Sequence, residues 1–158
     1  MKDLKVVGIA QMAVFRAPEQ LACLGLGSCV AVILYDPPLK MGGIVHALLP
    51  RAPQKCLVQE KYADSGTKRL VYEMTMRGSL KERLMAKIVG GAQMFPSLNL
   101  SISDIGKANC VEARKTLRDL GVKVVAEDVE GNRGRSAYFN LETGKVLVET
   151  AFAPSRTI

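Results

Sequence analysis

Short apolar runs, bounded by glycine, proline and polar residues, recur along the whole chain. Runs of this length with turn residues at their ends are typical of buried β-strands. They predict strands at 4–15, 29–35, 43–49, 84–89, 122–129, 136–140 and 145–150. Strands are therefore expected to supply most of the core.

Two longer stretches have helical rather than strand periodicity. In residues 62–77 one helical face carries Ala63, Thr67, Leu70 and Met74. Residues 104–120 begin with an acidic residue and stop before Gly121, which suits a left-handed helix C-cap. Two amphipathic helices beside six or seven strands predict an α/β layered sandwich with a mixed β-sheet.

The length of the chain, 158 residues, is close to the commonest domain size. A chain of this length buries about two thirds of its unfolded surface, so its core needs no disulfide or metal. We expect one domain over residues 1–158. The sequence has neither a long apolar span nor a charged-then-apolar leader, and both observations favour a cytoplasmic protein.

Basic residues outnumber acidic ones, giving a net charge of +7 and a pI near 9.4. The excess is concentrated between Arg51 and Lys87, and a basic face attracts acidic partners. Nucleic acid is one such partner, but aromatic residues are only 5% of the chain and tryptophan is absent. Stacking platforms and known nucleic-acid motifs are therefore missing, and we expect no nucleic-acid binding.

One segment combines a glycine loop, a cysteine and, further on, the single histidine of the chain. Cys29 ends the loop in LGLGSCVAV (24–32), and His46 lies in GGIVHALLP (42–50). A thiol needs a nearby base or N–H donors to become a good nucleophile, and Gly25 and Gly27 can turn backbone N–H groups toward an oxyanion. The alternative is a cysteine and a histidine that simply pack in a core. The pattern predicts Cys29 as nucleophile, His46 as base, and Gly27 and Ser28 as the oxyanion and substrate loop.

The other cysteines are Cys23, Cys56 and Cys110. Four cysteines in all would allow a disulfide framework, but the secreted context is missing. Cys110 has helical spacing with apolar neighbours, which explains it by burial. A zinc site formed by Cys23, Cys29, His46 and Cys56 would lack the usual Cys-x-x-Cys spacing. We expect no metal and no cofactor.

The segment around Cys29 resembles the signature of the CheD family, the chemoreceptor glutamine deamidases of chemotaxis. The matching residues are GLGSCVAV (25–32), YDP (35–37), Gly43, His46, LP (49–50), KYAD (61–64), KIVGGA (87–92), IG (105–106), Asn109, AED (126–128), GR (134–135) and TG (143–144). This resemblance covers nearly the whole chain. It implies a cysteine hydrolase of the CheD type, catalysis by Cys29 and His46, and binding to the cytoplasmic domain of chemoreceptors and to the CheC phosphatase.

Two positions depart from the family pattern. The family has a threonine six residues before the nucleophile, which is thought to orient the imidazole, and here that residue is Cys23. A thiol is a weaker hydrogen-bond partner than a hydroxyl. The departure leaves three alternatives: another group holds His46, the enzyme is slower, or catalysis has given way to binding. The second departure is Glu130-Gly131, where the family has two glycines.

The implied reaction is acyl transfer through a thioester on Cys29. It converts a receptor glutamine to glutamate, and the same chemistry could cleave a receptor methyl ester. A regulatory protein that binds CheC without turnover is the alternative from another class. Gly90-Gly91 and Gly106 with Asn109 could shape the site, although ordinary turn chemistry is the simpler interpretation of these residues.

Overall fold

The computed structural model describes residues 4–95 and 104–158. The strands are β1 (Leu4–Val6), β2 (Met12–Arg16), β3 (Gln20–Leu26), β4 (Val30–Asp36), β5 (Met41–Ala47), β6 (Met85–Gly90), β7 (Lys123–Val129), β8 (Arg135–Asn140), β9 (Val146–Thr150) and β10 (Arg156–Thr157). The helices are α1 (Ala63–Met76) and α2 (Ile105–Leu120), with short 3₁₀ turns at Gln59–Lys61 and Lys81–Arg83.

The strands form two five-stranded sheets. The first has the order β1-β3-β8-β9-β10, and the second has the order β2-β5-β4-β6-β7. Both sheets are mixed, because β1 pairs with β3 and β6 pairs with β7 in parallel, whereas the other pairs are antiparallel. The sequence predicted one mixed sheet, and the structure divides it into two.

The second sheet lies in the middle of three layers. Every residue of β4 and β5 is buried, because one face packs against the helices and the other against the first sheet. A strand covered on both faces has a continuous apolar sequence, as in VAVILY of β4. The predicted α/β layered sandwich with two main helices is confirmed.

The helix bounds follow local capping chemistry. The Asp104 side chain accepts a hydrogen bond from the Lys107 N–H at 3.0 Å, which fixes the start of α2. Gly121 ends the helix in the left-handed region, with φ of 75°. Both helices therefore begin and end within a residue of their predicted bounds. No helix in the described part of the chain is long and apolar enough to cross a membrane.

The strand prediction for residues 4–15 is wrong. The chain leaves the first sheet after β1, turns through residues 7–11 and enters the second sheet as β2. Leu4 and Val6 of β1 are exposed, whereas Val7 in the turn and Val14 of β2 are buried. Residue type alone does not distinguish these positions, so the sequence could not reveal the change of sheet.

Strands β3 and β10 were not predicted. The end of β3 contains Gly25, where the ladder to β8 shifts register between Cys23 and Leu26. A strand that ends in such a bulge has a glycine-rich sequence, and that sequence predicts a loop and not a strand. Strand β10 has two residues, too few to give a period-2 pattern.

Candidate functional site

His46 lies on β5 of the middle sheet, and Cys29 directly precedes the neighbouring strand β4. Ala31 of β4 is directly opposite His46 of β5. Cys29 is two residues before Ala31, so its side chain lies on the same face as the imidazole and diagonal to it. Diagonal Cβ atoms in a sheet are about 7–8 Å apart or somewhat less, within reach of a long side chain. This face is the one that packs against the first sheet.

The turn between β1 and β2 holds His46 at three points. The imidazole Nδ1 is 3.0 Å from the Val7 carbonyl oxygen. On the main chain, Ala10 N donates to His46 O at 2.8 Å and His46 N donates to Gln11 O at 3.0 Å. A carbonyl can only accept, so Nδ1 carries the proton and Nε2 of the neutral ring has the lone pair.

The environment of His46 suits a base. The residue is 2% exposed, and burial lowers the pKa of the imidazole, while the hydrogen bond to Val7 raises it by less. Within the described residues, Nε2 is buried and has no hydrogen-bond partner. The ring is therefore neutral at neutral pH, with its lone pair free to accept a proton.

Cys29 is buried, with 8% of the residue exposed. Burial raises its pKa, and the backbone N–H of Cys29 itself lowers it by less. The resting state is thus a thiol, and a nucleophilic thiolate requires a base to remove the proton.

Cys23 faces the same interior from β3 in the opposite sheet. It is fully buried, and burial together with the nearby charge of Cys29 raises its pKa to about 12. Because the Val7 carbonyl occupies Nδ1 of His46, the imidazole is oriented without the thiol of Cys23. Of the possibilities that the missing threonine left open, this geometry supports the one in which another group holds the base.

The loop before Cys29 is anchored by its carbonyl groups. Ala92 N donates to Gly27 O at 2.9 Å, and Gly91 N donates to Cys29 O at 2.8 Å. Between them, Ser28 O accepts from Asn109 Nδ2 at 2.8 Å. None of the described contacts occupies the N–H groups of Gly27 and Ser28, so both can donate to an oxyanion.

Gly25 is different from Gly27. Its N–H donates to Ser136 Oγ at 3.0 Å, so it is already occupied. The sequence-based expectation that Gly25 also serves an oxyanion is therefore wrong. The residue instead permits the bulge in β3, with φ of 64°.

Asn109 ties the two catalytic segments together. It is fully buried on α2, and its Nδ2 donates both to Ser28 O at 2.8 Å and to Leu48 O at 3.1 Å. Ser28 precedes Cys29, and Leu48 lies two residues after His46. Its Oδ1 is buried without a described partner. The simpler interpretation of this residue as turn chemistry missed the bridge, because the bridge depends on tertiary contacts.

The glycines after β6 allow α2 to approach the Cys29 loop. A side chain at Gly90 would collide with the Cys29 carbonyl, and one at Gly91 would collide with Cys110 and with the Gly106 main chain. Both residues also have positive φ, at 112° and 68°. Close backbone approach, more than turn formation, explains these two residues.

The surface around the Cys29 loop is apolar at its rim. Leu24, Met94 and Phe95 are all exposed, and Met94 packs over Gly27. Beside them lies a groove of about 520 Å³ whose lining includes Arg135 and Ser136.

The remaining cysteines take no part in this cluster. All four cysteines are unpaired, Cys110 is buried on α2 and Cys56 is partly exposed. Within residues 4–95 and 104–158, no group of three or more His, Cys, Asp or Glu side chains could hold a metal ion.

Comparison with known proteins gives consistent results. A family model described as CheD chemotactic sensory transduction matches residues 48–150. The chain is 47% identical to a chemoreceptor glutamine deamidase CheD of Thermotoga maritima over 91% of this chain and 90% of the relative. It is 46% identical to a probable chemoreceptor glutamine deamidase CheD of Moorella thermoacetica, over 96% of this chain and 93% of that protein.

A solved structure supports the fold. The crystal structure of Neisseria meningitidis protein NMB0706 matches with a TM-score of 0.53 and 13% identity, over 85% of this chain and 74% of that one. At this identity the likeness concerns the fold alone.

Proposed function

The chain belongs to the CheD family, and we propose that it is a chemoreceptor glutamine deamidase that uses Cys29 and His46. The observation that carries the proposal is the placement of Cys29, directly before β4, and of a neutral His46 on β5 on the same face of the middle sheet. The imidazole has its protonated nitrogen on Val7 O and its lone pair unoccupied. This is the arrangement a general base needs.

In the first step, His46 Nε2 removes the proton from Cys29 Sγ, and the thiolate attacks the side-chain carboxamide carbon of a receptor glutamine. Negative charge develops on the carboxamide oxygen. The N–H groups of Gly27 and Ser28 donate to that oxygen, and the anchored carbonyls of residues 27–29 keep those N–H groups in place.

In the second step, the protonated imidazole gives its proton to the leaving nitrogen, and ammonia departs from a thioester on Cys29. Water, deprotonated by the same nitrogen, then attacks the thioester carbonyl. The products are glutamate on the receptor and the free thiol. A glutamate methyl ester would pass through the same thioester with methanol as the leaving group, so methylesterase activity belongs in the test.

We propose the following setting for the reaction. The substrate is the cytoplasmic domain of a chemoreceptor, the enzyme works in the cytoplasm, and the CheC phosphatase binds at the apolar rim formed by Leu24, Met94 and Phe95. One domain contains the whole site. Support for a single domain comes from β4. Successive residues of this strand alternate between the hydrophobic cluster on the helix side of the middle sheet and the cluster between the two sheets, so the strand joins the layers.

The direct test is mass spectrometry of a receptor cytoplasmic fragment after incubation with the protein. Each deamidated glutamine gains about 1 Da, and Cys29→Ala and His46→Gln should abolish the gain while Cys56→Ser, a matched cysteine variant, keeps it. A receptor fragment carrying glutamate methyl esters, assayed in parallel for methanol, measures the competing reaction.

Two outcomes would overturn the proposal. Deamidation that persists in Cys29→Ala would remove Cys29 from the mechanism. Absence of any mass change with the unaltered protein, together with binding to CheC that Cys29→Ala leaves intact, would establish the regulatory binding role instead.

A further inference from the structure

Asn109 reaches the middle sheet at the point where the ladder between β4 and β5 ends. The last pair of that ladder is Val30 with Ala47. Beyond it, the Asn109 amide donates to Ser28 O at 2.8 Å and to Leu48 O at 3.1 Å. One side chain of α2 therefore continues the connection between the strand that follows the nucleophile and the strand that carries the base.

The orientation of this amide is fixed by its two partners. Both are carbonyl oxygens, which only accept hydrogen bonds, so the nitrogen and not Oδ1 of Asn109 must face them. Within residues 4–95 and 104–158, no other donor reaches Ser28 O or Leu48 O. A substitution that removes the amide nitrogen therefore leaves both carbonyls without their described partner.

The hydrogen bond to Ser28 O also sets the direction of an N–H group. Ser28 O and Cys29 N belong to one planar trans peptide unit, in which the C=O and N–H bonds point in opposite directions. Because α2 holds the oxygen, the N–H of Cys29 points away from α2. This N–H lies near Cys29 Sγ, since it lowers the pKa of the thiol against the larger effect of burial. In the described part of the chain no carbonyl accepts from it.

Helix α2 reaches this position because a glycine lies in its first turn. A Cβ at Gly106 would collide with the main-chain oxygens of Gly91 and Ala92. Gly106 is three residues before Asn109, so both residues lie on the same face of the helix. The close backbone approach at Gly106 thus brings the Asn109 amide within hydrogen-bond distance of the loop before Cys29.

Helix packing alone does not account for an asparagine at this position. Asn109 is fully buried, and its Oδ1 has no partner among the described residues. A buried acceptor without a hydrogen bond destabilises the folded protein. An apolar side chain of similar size would fill the same space without this cost, so the two N–H donors are what the asparagine adds.

We propose that Asn109 is a positioning residue for deamidation: by holding Ser28 O, it directs the N–H of Cys29 to the carboxamide oxygen of the bound glutamine. The hydrogen bond from Ala92 N to Gly27 O fixes the Ser28 N–H in the same way. Three successive N–H groups, those of residues 27–29, are then available where negative charge develops. This inference rests on the proposed deamidase function and gives α2 a part in it.

The test compares receptor deamidation by the unaltered protein and by Asn109→Leu, which has nearly the same volume and no N–H donor. Its kcat should fall about tenfold or more, because removal of one oxyanion donor costs about 10²–10³ in rate and misdirection costs part of that. KM should change less than about twofold, since the contact is used in the transition state and not in substrate binding. Thr116→Val is the matched control. It removes a buried hydroxyl about two turns further along the same face of α2, and it should keep kcat.

Alkylation of Cys29 by iodoacetamide is the second measurement, because displacement of iodide creates no oxyanion on a carbonyl. Its rate in Asn109→Leu should stay within about threefold of the unaltered protein, as measured by mass spectrometry of the Cys29 peptide. Equal losses in deamidation and alkylation would overturn the proposal. If a thermal melt shows that Asn109→Leu is unfolded, Asn109→Ser, which is too short to reach both carbonyls, is judged by the same comparison.

Failure of this inference is distinct from failure of the deamidase proposal. Deamidation by the unaltered protein that Asn109→Leu leaves unchanged would overturn the role of Asn109 alone. Absence of deamidation by the unaltered protein would overturn both.

Discussion

At the scale of single residues, burial keeps the proton of the catalytic pair on sulfur. It raises the pKa of the Cys29 thiol and lowers the pKa of the His46 imidazole. Both changes oppose a resting thiolate–imidazolium ion pair. In the proposed mechanism the thiolate then forms only as His46 takes the proton during attack.

The pH dependence of Cys29 alkylation tests this resting state. In a Cys56→Ser variant, which removes the more exposed thiol, the rate of reaction with iodoacetamide should rise with one titration above the ordinary thiol pKa of 9.0. Mass spectrometry of the modified peptide measures it. A plateau at neutral pH would indicate a preformed ion pair and contradict the interpretation. Cys23 and Cys110 are fully buried and should stay unmodified while the protein is folded.

Glu130, which stands where the family has a glycine, has an unfavourable backbone conformation. Its φ is 67° and that of Gly131 is 71°, so both residues lie in the left-handed region. This region costs a residue with a Cβ about 1–2 kcal/mol, whereas glycine enters it freely but loses about 0.5–1 kcal/mol more entropy on folding. The family preference for two glycines therefore has a backbone cause.

Glu130→Gly should accordingly stabilise the protein by about 0.5–1 kcal/mol in urea unfolding. Glu130→Ala is the matched control, because it removes the same side chain but keeps the Cβ. A stabilisation by alanine equal to that by glycine would assign the effect to the carboxylate and not to the backbone.

At the scale of elements, the turn between β1 and β2 decides the orientation of the base. Gln11 Oε1 accepts from Gly8 N at 3.0 Å, and Gln11 N donates to Gly8 O at 3.1 Å. These two bonds close the turn that presents the Val7 carbonyl to the imidazole. The side chain of Gln11 is exposed, so its role is to fix the turn and not to fill the core.

Gln11→Ala should lower kcat severalfold with little change in KM, because the imidazole loses part of its support. The acid limb of the kcat–pH profile should move to lower pH, since the Val7 hydrogen bond raises the pKa of His46. Gln11→Glu keeps an oxygen acceptor for Gly8 N and should restore most of the activity. An unchanged acid limb in Gln11→Ala would show that the turn does not affect the pKa of His46.

The sequence predicted the two chemical groups but not what holds them. Cys29 and His46 were recognisable because a side chain carries their chemistry and glycines flank them. The support from Val7 is a main-chain carbonyl, which any residue would provide and no residue type signals. Asn109 acts on segments far from it in sequence, through contacts that only the packing of α2 creates. The helices were predictable from their amphipathic spacing, and β4 and β5 from the continuous apolar sequence of strands buried on both faces.

At the scale of the whole molecule, exposed basic residues are concentrated on α1 and its flanking turns. Arg51, Lys55, Lys68 and Lys81 are exposed, and none of them has a described ion pair with a carboxylate. The acids of α1 and its flanking turns are Glu60, Asp64, Glu73 and Glu82. Glu60 and Glu73 are paired with Arg69 and Arg77, and Asp64 accepts hydrogen bonds from main-chain N–H groups. The surface of α1 and its flanking turns therefore keeps a net positive charge that can attract an acidic receptor helix.

Binding of the inactive Cys29→Ala protein to a receptor cytoplasmic fragment should therefore weaken as salt rises. The Debye length falls from about 10 Å at 0.1 M to about 3 Å at 1 M, which screens attraction between exposed charges. Replacing Lys55 and Lys68 by glutamine should reduce this salt dependence, whereas the same change at Lys115 on α2 should affect it less. Affinity that is flat across the salt range would exclude charge as the source of attraction. Duplex DNA is the comparison ligand, because tight, saturable binding to it at physiological salt would assign the basic surface to nucleic acid and not to the receptor.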